Sequence, residues 1–326
     1  MKILVVRFSS IGDILLTTPM IRCLHQRYDD IEIHLLTKAI YKDIYLYNPY
    51  IDKLWTINNS PKEIFYNLLN EKFDFLLDLQ KNFRSLWLKA NLPVEFSSFP
   101  KKNLKKLKMV ITKKRKPISN VALRYFESAK YLDVYYDGNG LDFFFPENFI
   151  FNYELPPIYI AFAISGTYYT KQYPTEYVIE YCKKSDYPVV LLGGKNEEVK
   201  GNQIKDEVGN KVFNYCGKLS LIESAFIIKN SILVISNDTG MMHLAVALHK
   251  SMISIWGNTV PEFGMYPLYP DNVKILHKYF QDDSVSCRPC SKLGHDKCPK
   301  KHFACMKNLL PDKLLDISRD MIKQKN

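Results

Sequence analysis

The sequence predicts an α/β chain of two similar halves, each a parallel sheet with crossover helices, the two facing each other across a cleft. Three observations carry this. Short apolar, β-branched runs alternate with helical periodicity along most of the chain, as parallel strands joined by helices require. The alternation breaks at residues 153–157, Tyr-Glu-Leu-Pro-Pro, where two prolines mark a boundary. It then restarts, so two βαβ series of similar length follow one another. We therefore expect a Rossmann-like domain over residues 1–153 and a second over residues 154–326, the latter ending in a Cys-rich segment, 287–305.

In the first half, residues 3–8 read as a strand, 9–13 as a tight turn through Gly12, and 14–28 as a helix. Residues 31–37 alternate as a second strand, 39–47 carry helical spacing, and 53–57 form a third strand. Pro61 opens a helix to residue 70, and 73–79 make a strand ending at Asp78. Residues 101–116 hold nine basic side chains and no acidic one. They are either a solvated loop or helix face, or a patch for an anionic lipid or polyanionic substrate. A helix over 120–132 places Arg124 in its early turns, and 137–148 is a loop. In the second half, strands are expected at 158–164, 189–192, 211–215, 232–235 and 252–256. Helices start at Pro174 and Asn196, and a third is capped by Ser220.

At 326 residues and 47% hydrophobic content, the chain has ample material for two cores. Its net charge of +11 suits an acidic partner: phosphate, nucleic acid or anionic lipid. Seven cysteines, odd in number and clustered late, do not make a disulfide scaffold. The opening Met-Lys-Ile-Leu-Val-Val-Arg is charged too early for a signal peptide, and no apolar run approaches the roughly 20 residues of a membrane span. A cytoplasmic protein is expected, with peripheral contact to the inner face of a membrane.

The stretch from Ser236 to His243, Ser-Asn-Asp-Thr-Gly-Met-Met-His, lies between a β-branched run and an Ala/Leu-rich one. It is thus a strand-to-helix turn at the carboxyl edge of a sheet, where ligands of such folds bind. Asp238 is expected as N-cap, with Thr239 and Gly240 opening the first turn. Free N–H groups and the positive end of the helix then seat a phosphate, and His243 lies one turn on, on the same face. Alternatively the octet is simply a capped core helix.

Asp13 sits in the first βα turn, which has neither a Gly-x-Gly-x-x-Gly nor a Walker pattern. It is either a general base on a hydroxyl or a helix cap. Lys171, in the first loop of the second half, is either a solvent lysine or a neutraliser of a leaving phosphate; Ser165 and Gly166 add donors at the same edge. Asn82 and Arg84 follow the strand ending in Asp78. There an arginine suits an acidic ligand, or else pairs with Asp78. Cys287-x-x-Cys290, with Cys298 and Cys305 beyond, has the first half of a structural zinc site. Free buried thiols are the alternative. The segment is expected to lie outside both sheet edges, which speaks against a catalytic metal.

Residues 1–19, with Arg7, Gly12, Asp13 and Pro19, resemble the opening of the lipopolysaccharide heptosyltransferases, glycosyltransferase family 9. The similarity continues through Asp78-Leu79-Gln80, Arg84-Ser85, Lys171 with Tyr173-Pro174, and Gly193-Gly194. It is strongest at Asn237-Asp238-Thr239-Gly240 with His243, followed by Trp256-Gly257-Asn258-Thr259. The late Cys-Arg-Pro-Cys and Cys305 resemble the family too. Tyr173 stands where many relatives have Trp, and residues 96–148 match poorly. The resemblance implies a GT-B fold and an inverting, metal-independent transfer of a sugar, heptose from ADP-heptose, to a lipid-linked acidic saccharide of the lipopolysaccharide inner core. It implies Asp13 as general base, with Lys171 as its catalytic partner on the diphosphate. The donor set is Ser165, Gly166, Lys171, Asp238, Thr239, Gly240, Met242 and His243; the acceptor set is Ser10, Gly12, Asn82, Arg84 and Arg124. No cofactor is expected for catalysis, and a structural zinc on Cys287, Cys290, Cys298 and Cys305 is the single metal expected. Two other classes remain: a basic module for nucleic acid or anionic membrane, disfavoured for nucleic acid because few aromatics interleave with the lysines, and a nucleotide-sugar epimerase.

Overall fold

A computed structural model describes residues 1–324. Both sheets are wholly parallel. The first contains β1 (Lys2–Val6), β2 (Glu32–Lys38), β3 (Lys53–Ile57), β4 (Phe75–Asp78) and β5 (Glu95–Ser98), in the order β3-β2-β1-β4-β5. The second contains β6 (Ile160–Ala163), β7 (Val189–Leu192), β8 (Val212–Asn214), β9 (Leu233–Asn237), β10 (Met252–Trp256) and β11 (His277–Gln281), in the order β11-β10-β9-β6-β7-β8. Each order reverses once, between β1 and β4 and between β6 and β9. Loops at the carboxyl ends of those four strands diverge to opposite faces, which opens a crevice in each sheet edge. Apart from Arg124 in a later helix and the four cysteines beyond β11, the candidate residues of both halves fall on or just after these four loops. The expected fold class, two Rossmann-like α/β domains, is what the chain adopts.

Contacts divide the chain into two compact units. One takes residues 1–102, 119–148 and 268–273; the other takes 103–118, 149–267 and the chain from Lys274 on. The second unit thus recruits α5 (Asn103–Thr112) from the basic run. Central strands are buried on both faces, which explains their unbroken apolar runs: Ile3, Leu4, Val5 and Val6 of β1 are fully buried, as are Val234 and Ile235 of β9. In the first unit Leu4, Val6 and Leu36 pack with Leu68 of α3 (Phe65–Asn70) and Leu88 of α4 (Phe83–Asn91). In the second, Ile235, Ile253 and Phe280 pack with Leu314, Leu315 and Met321 of the last helix, Pro311–Lys323. Each such fully buried chain contributes about 1.5–3 kcal/mol.

The helix expected over 14–28 is two, α1 (Ile11–Leu15) and α2 (Thr18–Arg27). Pro19 explains the break, since proline favours a first turn over a helix interior. Residues 39–47 form only the short 3₁₀ turns Ala39–Ile44. The helix expected over 120–132 is α6 (Val121–Phe126) followed by a separate 3₁₀ turn.

Candidate functional site

Each unit presents one cluster. In the first, Asp13 lies in α1 at the end of β1. One carboxylate oxygen meets Arg7 Nη2 at 2.9 Å, and the other accepts from Ser10 Oγ at 3.1 Å. Ser10 is the N-cap of α1, and Asp13, at the third position of the helix, closes a capping box with it. The aspartate therefore both caps and faces solvent, its side chain 28% exposed. Arg7 is buried and spans the crevice: Nε donates to Ser9 O at 2.8 Å, and Nη1 donates to the Leu79 carbonyl at the end of β4. Burial works against its charge, yet the Asp13 carboxylate prevails and holds the guanidinium above its ordinary range. Gly12 is buried beneath this turn, and the Tyr125 hydroxyl donates to Asp13 O at 3.4 Å.

On the β4 side, Asp78 is fully buried. Its partners are Lys89 Nζ at 3.0 Å, Ser85 Oγ at 2.9 Å and the Lys81 N–H at 2.7 Å. The Asp78–Arg84 pairing is thereby excluded: Lys89, five residues further on, takes that place, and Arg84 is exposed. Asn82 caps α4, its Oδ1 accepting from the Arg84 and Ser85 N–H groups at 3.0 and 3.1 Å. Arg124 is different. It is 1% exposed, and its guanidinium donates to the carbonyls of Ser119, Pro100 and Lys101. A side chain bound to three carbonyls clamps a loop, and the acceptor-side role expected of it stands as a proposal. Lys101 lies on the same side. Half-buried, its ammonium is pulled below the usual lysine range by burial and then by Arg7, while Asp78 and Asp13 oppose the shift. Within the uniform basic run nothing singles this lysine out; only its position beside Pro100, after β5, does.

In the second unit the carboxyl ends of β6 and β9 are tied by one side chain. Asn237 Nδ2 donates to Ser165 O at 3.0 Å, and its Oδ1 accepts from the Tyr173 N–H at 3.2 Å. This fixes the Ser165–Gly166 turn and the Lys171 loop against each other. Gln172 Nε2 donates to Gly166 O at 2.6 Å and closes the loop. Lys171 Nζ lies 2.7 Å from Asp238 Oδ2, and Thr259 Oγ1 donates to the same oxygen at 2.7 Å. The expected cap is therefore shifted by one residue. Asp238 spends its carboxylate on Lys171 and Thr259, and Thr239 is the N-cap of α7 (Gly240–Ala247) without a side-chain cap bond. Thr239 Oγ1 is shielded from solvent and has no hydrogen-bond partner among the described residues. A buried hydroxyl left so is uncommon. Met242 is fully buried and its N–H closes on Thr239 O at 3.2 Å, so it offers a ligand nothing directly; His243 is buried one turn into the helix.

The Cys-rich segment does not lie outside the sheet edges. Arg288, 1% exposed, donates to the carbonyls of Gly257, Trp256 and Thr259 at the end of β10, at 2.5, 3.1 and 3.1 Å. The Cys290 N–H donates to Asn258 O at 3.2 Å, and Thr170 exchanges backbone and side-chain hydrogen bonds with His295. Gly257 makes this approach feasible: a Cβ there would stand 2.6 Å from Thr170 O. The segment thus braces the loops bearing Lys171 and Thr259. Arg288 and Asn237 both lie in motifs of the resemblance but were given no site role from sequence; an arginine between the cysteines of a Cys-x-x-Cys turn was the available signal. As metal ligands the cysteines go part-way. Cys287 Sγ lies 3.9 Å from Cys290 Sγ and 3.9 Å from His302 Nε2, close to the ~3.8 Å edge of a tetrahedron with Zn–S bonds of about 2.3 Å. Among the described residues, however, the one group of three ligand atoms within 4.8 Å of each other is Glu32, His34 and Glu71, where Lys2 already sits as counter-ion to both glutamates.

Residues 63–292 match the model of glycosyltransferase family 9 (heptosyltransferase). The chain belongs to that family. Its matched span holds the whole donor-side cluster and the β4 loop, whereas Asp13 precedes it. Among curated family relatives, lipooligosaccharide heptosyltransferase 2 of Campylobacter jejuni is 31% identical over 142 residues, 42% of this chain. That match covers only 41% of the relative's length. Lipopolysaccharide heptosyltransferase 1 of Campylobacter coli is 26% identical over 294 residues, 79% of this chain and 84% of that one. The fold is that of the solved Escherichia coli ADP-heptose lipopolysaccharide heptosyltransferase II, with a TM-score of 0.75 and 17% identity over 100% of this chain and 99% of that one. No helix among the described residues is long and apolar enough to cross a membrane.

Proposed function

We propose that this family 9 protein transfers heptose from ADP-heptose to a lipid-linked acidic saccharide of the lipopolysaccharide inner core, with inversion at the anomeric carbon. The observation that carries the reading is the Lys171–Asp238–Thr239 cluster at the β6/β9 crevice. A cation, a buried unpartnered hydroxyl and a helix N-terminus converge there, which suits a diphosphate. On binding, the diphosphate takes Lys171 as its counter-ion in competition with Asp238, and Asp238 turns to the sugar hydroxyls. The acceptor lies on the first unit, its anionic groups facing Arg84 and Lys101. Asp13, oriented by Arg7, removes the proton from the attacking hydroxyl. That oxygen bonds to the anomeric carbon as the bond to the β-phosphate oxygen breaks, and ADP departs onto the fixed positive charge of Lys171 and α7. Such charge does the work that a metal ion does elsewhere.

Of the four cysteines expected as zinc ligands, Cys287 and Cys290 stand at ligand spacing and, among the described residues, no third ligand atom gathers with both, so a structural zinc stiffening the brace around the donor loops rests on that pair and has no part in the chemistry. The test of the whole reading is incubation with ADP-heptose with and without a heptose-deficient core acceptor, followed by product analysis. Acceptor-dependent release of ADP with an inverted linkage is expected. Turnover of the donor without acceptor, giving an isomeric nucleotide sugar, would instead point to an epimerase.

A further inference from the structure

Helix α5 has two apolar sides. Met109 and Val110 pack with Ile118, Val260 and Phe263 in a small cluster of the second unit. At 3.6 residues per turn, Leu104, Leu107 and Ile111 gather in a sector of about 60° that points away from that cluster. They are 83%, 43% and 70% exposed. A helix with one buried stripe normally shows water a polar back; here the back is aliphatic. The rest of the surround is cationic. Residues 103–118 contain seven basic side chains, no acidic one and no aromatic. Two serve the unit itself, Arg115 in an ion pair with Asp283 and Lys113 Nζ donating to Pro289 O at 2.8 Å. Lys105, Lys108, Lys114 and Lys116 are exposed.

We propose that α5 seats in the headgroup layer of an anionic phospholipid bilayer, with Leu104, Leu107 and Ile111 inserted and the flanking lysines on lipid phosphates. An aliphatic stripe edged by lysines supplies the two signals that reversible membrane attachment needs, apolar insertion and charge. Nucleic acid would satisfy the lysines and leave the stripe in water, and no aromatic is there to stack a base. The inference deepens the proposed function, since a lipid-linked acceptor resides at such a surface; the helix's own chemistry stands apart from the donor site.

The test sediments the full chain with vesicles of phosphatidylcholine alone and with vesicles of phosphatidylcholine and phosphatidylglycerol. Binding to the anionic vesicles alone is expected, falling with added salt and by about fivefold for each lysine changed to glutamine. The triple variant L104N/L107N/I111N should lose at least about tenfold in partitioning, with its melting temperature and its ADP affinity unchanged. Failure of the chain to bind anionic vesicles, equal binding to neutral ones, or undiminished binding by the triple variant would each overturn the proposal. Vesicle binding as described by a chain that shows no affinity for ADP supports the proposal while removing the transferase reading.

Discussion

Replacing Lys171 by alanine separates two consequences that the structure makes calculable. Lys171 and Asp238 meet at 2.7 Å with side chains 17% and 8% exposed. Removing the lysine leaves Asp238 with Thr259 as its remaining side-chain partner. Breaking a fully buried pair costs about 3–5 kcal/mol, and the residual exposure of Lys171 brings the expected loss to about 2–3 kcal/mol. For a domain of this size that lowers the melting temperature by roughly 4–10 °C. The second consequence is ligand-borne. A hydrogen bond to a charged group contributes about 1.5–3 kcal/mol, so K171A should weaken ADP binding by about 10- to 150-fold. Calorimetric titration with ADP and scanning calorimetry read the two effects separately. The companion variant D238N removes the stranded carboxylate, so K171A/D238N should regain most of the stability and none of the affinity. ADP affinity within twofold of wild type in K171A would refute the phosphate role of Lys171.

Turnover of D13N should fall by about 10²–10⁴-fold, the usual contribution of a general base, with ADP affinity by calorimetry unchanged; full turnover removes the base assignment. His277 is held down to about 4 by burial beside Ser254. The unfolded chain thus binds a proton at this site from about pH 6.5 downward while the native protein stays neutral, so the stability this site gives at neutral pH erodes as pH falls from 6.5 towards 4. Denaturant melts between pH 6.5 and 5 should show a loss of about 2 kcal/mol, and H277N should flatten that slope. Leu314→Ala, emptying a fully buried position under the second sheet, should cost about 2–5 kcal/mol in urea unfolding. Elemental analysis of purified protein should return one zinc per chain, reduced in C287S and C290S; metal-free wild type would leave the cysteines as thiols.

What the residues announced and what they concealed follow from burial. β1 and β9 lie between two neighbours and under helices, so they must be apolar throughout, and Ile3–Val6 and Leu233–Ile235 declare them. The edge strands β5 and β11 need meet no such demand. Glu95, Ser97 and Ser98 in one, and His277, Lys278 and Gln281 in the other, carry little strand signal, and both escaped detection. The final helix was legible in principle: Pro311 opens a pattern of Leu314, Leu315, Ser318, Met321 and Ile322 that fits a single buried face. The octet at 236–243 was read correctly as a strand-to-helix turn but one residue out at its cap, because Asp238 found a lysine and a threonine from other loops. Spacing along a chain cannot foretell partners that arrive from 67 and 21 residues away. The clamp made by Arg124 was hidden for the same reason: a carbonyl clamp and an anion contact look alike until the surrounding backbone is in view.

The position of Arg288 bears on how variants of this protein will read in a genetic screen. One guanidinium joins the cysteine turn to the carbonyls of Trp256, Gly257 and Thr259, and Thr259 holds the aspartate opposite Lys171. On the proposed donor site, lesions at Arg288 are expected to surface as poor nucleotide use, although no atom of that side chain need touch the nucleotide. Suppressors of such lesions should map to the rim of β10, a geography invisible to any map drawn from ligand contacts alone.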